Sequence, residues 1–109
     1  MKKTLTILSL LAVVAACSPK VVGPAQQDVD RVADKFPGYT LAMLQQDKVI
    51  YEEKCGSCHA PKSPSAHNEA EWKQVVPRMA EMANRKTVRI DTTAQTQVLR
   101  YLTAMGRQD

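Results

Sequence analysis

The 109-residue sequence predicts an all-α fold of three or four helices, because helical patterns recur along the chain and strand patterns do not. Apolar residues return every three or four positions over residues 41–54, 69–85 and 94–105, which places them on one face of a helix. Each segment follows a residue whose side chain can cap a helix, namely Thr40, Asn68, and Thr92 or Thr93.

The first long helix, "LAMLQQDKVIYEEK", places Leu41, Leu44 and Tyr51 on one stripe and leads directly to Cys55. Upstream, "DVDRVADKF" predicts a helical turn or two that Pro37-Gly38 ends. Its apolar side consists of Val29, Val32 and Phe36.

The second long helix, "EAEWKQVVPRMAEMANR", contains Pro77, which predicts a kink or a division of the helix. Its apolar stripe consists of Trp72, Val75, Val76, Met79 and Met82. The last helix ends at Gly106, and its inward residues are Val98, Leu99, Leu102 and Met105.

The N-terminus has the pattern of a bacterial secretion signal. Lys2 and Lys3 precede an apolar run that is short for a membrane span, and the run ends in "VAAC". This ending resembles the lipoprotein signal, in which Cys17 becomes the lipidated N-terminus; the alternative is an ordinary signal peptide with a bystander cysteine. We therefore predict a signal peptide over 1–16, a lipid-anchored tether over 17–39 and a domain over 40–109. By the same resemblance, Ser18 favours the outer membrane, with the domain facing the periplasm.

The charge pattern gives no support for nucleic-acid binding. Loss of Lys2 and Lys3 leaves 13 of the 15 basic residues against 11 acidic ones, a net charge of +2. Basic residues alternate with acidic ones and form no cluster interleaved with aromatic residues. These charges are typical of a solvated surface.

The stretch "CGSCH", Cys55 to His59, is the one motif that requires a chemical explanation. A zinc site needs about four ligands, and beyond this motif the domain offers only His67. A thioredoxin-like dithiol lies at the start of a helix after a strand, whereas this one follows a helix. A disulfide between Cys55 and Cys58 would leave His59 without a role.

Haem attachment accounts for all three residues together. Two thiols at this spacing can add to the two vinyl groups of one porphyrin, and the following histidine presents its imidazole to the iron. The predicted covalent attachment residues are Cys55 and Cys58, and the predicted iron ligand is His59. An export signal is consistent with this chemistry, since bacteria complete the attachment outside the cytoplasm.

With these residues the chain resembles the small monohaem c-type cytochromes over about residues 40–106. The resemblance rests on "IYEEKCGSCH", on "EWKQVVPRM" and on the terminal "VLRYL". Many relatives carry glycine four residues before the aromatic residue of the first helix, where this sequence has Asp47. The resemblance implies a cytochrome c fold, in which three or four helices wrap one covalently bound haem. It also implies an electron carrier rather than an enzyme.

An electron carrier of this kind needs a second axial ligand, and methionine is one that raises the potential. Met79 lies two helical turns after Trp72, as in the resembling cytochromes, and is the first candidate. Met82 is the second and His67 the third. Met43 and Met105 are expected to fill the core. Trp72 is expected to pack against the porphyrin.

Two other functions stay open at this point. A haem enzyme or gas sensor would need an open sixth position and a distal polar group, which Arg78, Arg85 or His67 could supply. A cytochrome subunit of a larger respiratory complex is compatible with the same haem. For a carrier we expect redox proteins as donor and acceptor, the membrane as a partner through the lipid, and no small-molecule substrate.

Overall fold

The structure, a computed structural model, describes residues 23–109 and consists there of four α-helices. Helix α1 spans Gln26–Arg31, α2 spans Leu41–Cys55, α3 spans Glu69–Asn84 and α4 spans Thr92–Met105; a short 3-10 helix covers Pro64–Ala66. Within residues 23–109 the only β pairing is an isolated bridge between Asn68 and Arg107. The all-α prediction is confirmed. The predicted signal peptide and Cys17 lie outside the described residues.

No helix in the described part of the chain combines the length and the apolar character that crossing a membrane requires.

The helices begin where the sequence provides caps. The Thr40 hydroxyl accepts a hydrogen bond from the Met43 amide at 3.2 Å, and the Asn68 side chain accepts one from the Glu71 amide at 2.9 Å. Helix α4 begins at Thr92, earlier than predicted, and its cap is Asp91 rather than Thr92 or Thr93; the Asp91 carboxylate accepts a hydrogen bond from the Ala94 amide at 2.8 Å. A carboxylate one residue before the helix can reach the same free amides as a threonine would.

Helix α3 continues through Pro77 without being divided. Proline cannot donate the hydrogen bond to the carbonyl four residues earlier, but Pro77 is on the exposed side of the helix, where water can satisfy that carbonyl. The buried side of α3 therefore keeps one continuous apolar stripe past the proline.

Helix α4 is the central element, because it packs against both α2 and α3. Its Val98 and Leu102 are almost completely buried, at 1 % and 0 % exposure. At its end, Gly106 lies close to the loop before α3, where a Cβ atom would come within 3.1 Å of the Pro64 carbonyl oxygen. A side chain at this position would push the loop away.

The packed domain extends upstream of residue 40. The predicted apolar side of the "DVDRVADKF" segment is present, with Val29 and Val32 buried against the core formed by α2 and α4. Arg31 donates a hydrogen bond to the Ala104 carbonyl at 3.0 Å. The sequence placed residues 17–39 in the tether, whereas in the structure α1 and the turn at Gly38, with its φ of +79°, belong to the folded unit.

A buried ion pair joins α2 to α4 at the position where many relatives carry glycine. Asp47 is 1 % exposed, and its two carboxylate oxygens accept hydrogen bonds from the Arg100 guanidinium at 2.6 and 2.9 Å. The Tyr39 hydroxyl donates a third at 2.7 Å, and the guanidinium lies 4.7 Å from the centre of that ring. Burial and the bond to Asp47 raise the pKa of Tyr39 well above its usual value, so the phenol stays protonated as a donor.

We expect Asp47→Ala to lower the free energy of unfolding by about 3 kcal/mol, because it leaves the Arg100 guanidinium and the Tyr39 hydroxyl without their acceptor. Denaturant unfolding of the haem-loaded protein, followed by far-UV circular dichroism, measures this loss. The matched control is Glu53→Ala, an exposed acid of the same helix, which should change stability by less than about 0.5 kcal/mol. Equal stability of the two variants would contradict a structural role for the ion pair.

Candidate functional site

An apolar cleft of about 250 Å³ lies between the C-terminal half of α2, the length of α3 and the middle of α4. Its floor includes Val98 and Leu102, the same side chains that pack the helices together. Cys55, Cys58 and His59 line one side of it, and Met79 and Met82 from α3 also line it. The structure thus brings the predicted attachment residues, the predicted iron ligand and both methionine candidates to a single cavity.

The two thiols lie where helix α2 ends. Cys55 is the last residue of the helix and is half-buried, while Cys58 follows in the turn and is exposed; both are free thiols. Burial raises the pKa of the Cys55 thiol, and the nearby Cys58 adds to this effect. A redox dithiol depends on a lowered thiol pKa, so the environment of Cys55 does not favour that alternative.

The histidine after the thiols is oriented by the backbone. The Nδ1 atom of His59 lies 2.9 Å from the carbonyl oxygen of Ala60. Because a carbonyl only accepts hydrogen bonds, Nδ1 carries the proton, and in a neutral imidazole the lone pair is then on Nε2. Metal-binding histidines commonly have their second nitrogen fixed in this way.

The two methionine candidates are more exposed than is usual for large apolar side chains, 38 % for Met79 and 51 % for Met82. They are three residues apart on α3, so one helix face can present both to the cleft. A flat apolar group in the cleft would remove both from water. Met43 and Met105 instead pack against the core, as the sequence predicted.

The third ligand candidate, His67, does not line the cleft. Its ring packs edge-on against Trp72 with centroids 4.6 Å apart, and its Nδ1 lies 3.5 Å from a carboxylate oxygen of Glu71. Trp72 itself lines the cleft, is 3 % exposed, and donates from Nε1 to the Pro64 carbonyl at 2.9 Å. This bond fixes the indole plane beside the cavity.

Tyr51 fixes the loop that follows the CGSCH stretch. Its hydroxyl donates to the Lys62 carbonyl at 2.5 Å, and its ring contacts Tyr101 of α4 at 5.4 Å between centroids. Burial raises the pKa of Tyr51 to about 12, so the hydroxyl remains a donor at physiological pH. No local pattern in the sequence indicated the contact between Tyr51 and the loop.

Sequence reasoning missed the charged residues of the cleft. Lys54, Lys62 and Lys86 line it, and no acidic residue does. They come from the end of α2, from the following loop and from the turn after α3, so no sequence pattern connects them. A basic lining of this kind can balance an anionic group, such as the propionates of a porphyrin.

Among residues 23–109, no three histidine, cysteine, aspartate or glutamate side chains gather in an arrangement that could hold a metal ion by themselves. The cleft instead combines two thiols, an oriented imidazole, apolar walls and thioethers, and this donor set fits a haem. Fold and site together define the class of a c-type cytochrome.

Comparison with family models identifies the family. Residues 51–109 match the model described as dihaem cytochrome c, and the chain belongs to that family. Residues 1–18 match the prokaryotic membrane lipoprotein lipid attachment site, so the protein is a lipid-anchored cytochrome of the cell envelope. No curated protein and no solved structure matched the chain.

We expect the haem to stay with the protein when the holoprotein is extracted with acidified acetone, because each thiol can form one thioether. The double variant Cys55→Ala/Cys58→Ala should release all of its haem into the solvent. Ser57→Ala, between the two thiols, is the matched control and should retain the colour. Haem that partitions into acetone from the unmodified protein would contradict attachment at this motif.

Proposed function

We propose that this lipoprotein is a single-electron carrier that holds one haem c through Cys55 and Cys58, with His59 and Met79 as axial ligands. The observation that carries the proposal is the shared cleft, in which the end of α2 and the turn after it present the thiols and the imidazole, and α3 presents the thioethers. The haem would supply a one-electron couple.

The chain's own residues would serve that couple by holding the site rigid. The Ala60 carbonyl keeps the His59 imidazole in the tautomer that leaves Nε2 free. Tyr51 anchors the adjoining loop, and the Trp72 indole is held by Pro64. Small reorganisation between oxidation states is what an electron carrier requires, and these contacts favour it.

Among the methionines, position along α3 supports Met79 as the ligand. It lies two helical turns from Trp72, so both side chains can face the same side of the cleft, and its exposure is lower than that of Met82. We assign Met82 a packing role at the cleft margin.

We further propose one haem per chain, although the matched family is named for two. Each covalently bound haem of this type uses its own pair of thiols, and these 109 residues contain a single CxxCH motif. Apart from Cys17, which is used for the lipid, the sequence has no further cysteine.

The partners we propose are a donor and an acceptor redox protein, with the outer membrane as the site of anchoring and the domain in the periplasm. Ser18 after the lipid cysteine supports the outer membrane. The second candidate is a haem enzyme or sensor, in which the sixth position of the iron would be open.

We expect Met79→Ala to abolish the sulfur-to-iron charge-transfer band of the ferric protein and to lower its reduction potential, because a thioether ligand is lost. The matched control, Met82→Ala, should retain the band. The opposite pattern would make Met82 the ligand. An unmodified ferric protein that lacks the band and readily binds cyanide would favour the enzyme or sensor.

We expect the intact mass of the matured protein to exceed that of the lipidated polypeptide by one haem. The haem content from the reduced pyridine spectrum, divided by protein concentration, should give the same ratio. Two haems per chain by both methods would contradict the single-site proposal.

A further inference from the structure

The segment between the lipid and the folded domain is short. Cys17 lies within the matched lipid attachment site, and α1 begins at Gln26, so only residues 18–25 separate them. Even a fully extended chain of this length reaches about 30 Å at most. Any other conformation of the segment reaches less.

The residues that follow are held firmly to the domain. Val29 and Val32 are 3 % and 2 % exposed in the core, and Arg31 is bonded to the Ala104 carbonyl of α4. Lys35 forms an ion pair with Glu69 at the start of α3, and the Tyr39 hydroxyl donates a hydrogen bond to Asp47. Residues 26–39 therefore do not lengthen the tether, and the anchor pulls directly on the α1 side of the domain.

The size of the domain limits how far it can rotate above the membrane. A folded unit of this length has a radius of gyration of about 12 Å, which corresponds to a sphere roughly 30 Å across. The surface path from one pole of such a sphere to the other is about 50 Å, longer than the tether can span. The α1 side cannot turn to the far side of the domain.

One end of the cleft lies away from this attachment point. No residue before Tyr51 lines it. The ion pair from Lys35 ties the α1 segment to the first turn of α3, whereas Met82, at the other end of the cleft, lies about 20 Å farther along that helix. The length of α3 thus separates the anchored side of the domain from the Met82 end of the cleft.

We propose that the short tether holds the α1 side of the domain against the bilayer surface and turns the Met82 end of the cleft toward the aqueous phase. The consequence of this orientation for electron transfer rests on the proposed haem site. The electron partner then reaches the cleft from water as a redox protein, and a quinone dissolved in the bilayer does not.

Orientation is measured by resonance energy transfer from a dye on the protein to an acceptor dye on lipid headgroups. With the native thiols used by haem and lipid, Gln27→Cys on α1 and Arg89→Cys beyond α3 each give one reactive thiol on an exposed position. The lipidated holoproteins are reconstituted in phosphatidylcholine vesicles with and without acceptor lipid, and flotation verifies anchoring. Transfer should be several-fold stronger from position 27.

The control tests the tether itself. Insertion of about 20 Gly and Ser residues between Gly23 and Pro24 adds enough reach for free rotation, so the difference between the two positions should disappear. Equal transfer from both positions without the insertion would overturn the proposal. A difference that persists with the insertion would also overturn it, because tether length would not be its cause.

A second measurement tests access to the cleft separately from the identity of the redox partner. Ascorbate should reduce the vesicle-anchored protein at the same rate as the lipid-free Cys17→Ser variant, because the cleft faces water in both. A several-fold slower reduction of the anchored protein would place the cleft against the bilayer and overturn the proposal. Absence of any haem reduction in both would instead contradict the proposed electron carrier.

Discussion

The rest of the structure depends on the packing of α4 across both α2 and α3. Burial of Val98 and Leu102 contributes about 2 kcal/mol each, and the same side chains form part of the cleft floor. The contact that holds the helices together therefore also sets the position of the site. A displacement of α4 would move the floor of the cleft relative to the thiols at the end of α2 and the thioethers on α3.

Where α2 crosses α4, this protein has Asp47 in place of the glycine that many small c-type cytochromes carry. Glycine permits close approach, whereas Asp47 and Arg100 bridge the two helices with a bidentate ion pair that is buried on the Asp47 side. Such pairs contribute less to stability than their geometry suggests, because both charges lose their hydration. An ion pair of this kind fixes the relative positions of the two helices. Tyr39 joins the same network, so the segment before α2 is fixed in register with both helices.

This network connects the α1 segment to the floor of the cleft. The segment that begins at α1 is held by Tyr39 and by the bond from Arg31 to α4, and α4 in turn forms the cleft floor. A lipid anchor attached close to α1 therefore acts on a single rigid unit. For a protein confined to a surface, the direction in which its site faces decides which partners can reach it, and a short connection to a well-packed helix is a simple way to set that direction.

The sequence by itself determined the long helices, the caps at Thr40 and Asn68 and the CGSCH motif, because these depend on local spacing. The Thr40 and Asn68 side chains accept hydrogen bonds from amides three residues away, and the thiols and imidazole of CGSCH lie within five residues. Only the tertiary structure decided that α1 belongs to the domain, that Asp47 pairs with Arg100, and that Lys54, Lys62 and Lys86 share one cleft. These relations join residues far apart in the chain, and they exist only once α4 packs against both of its neighbours.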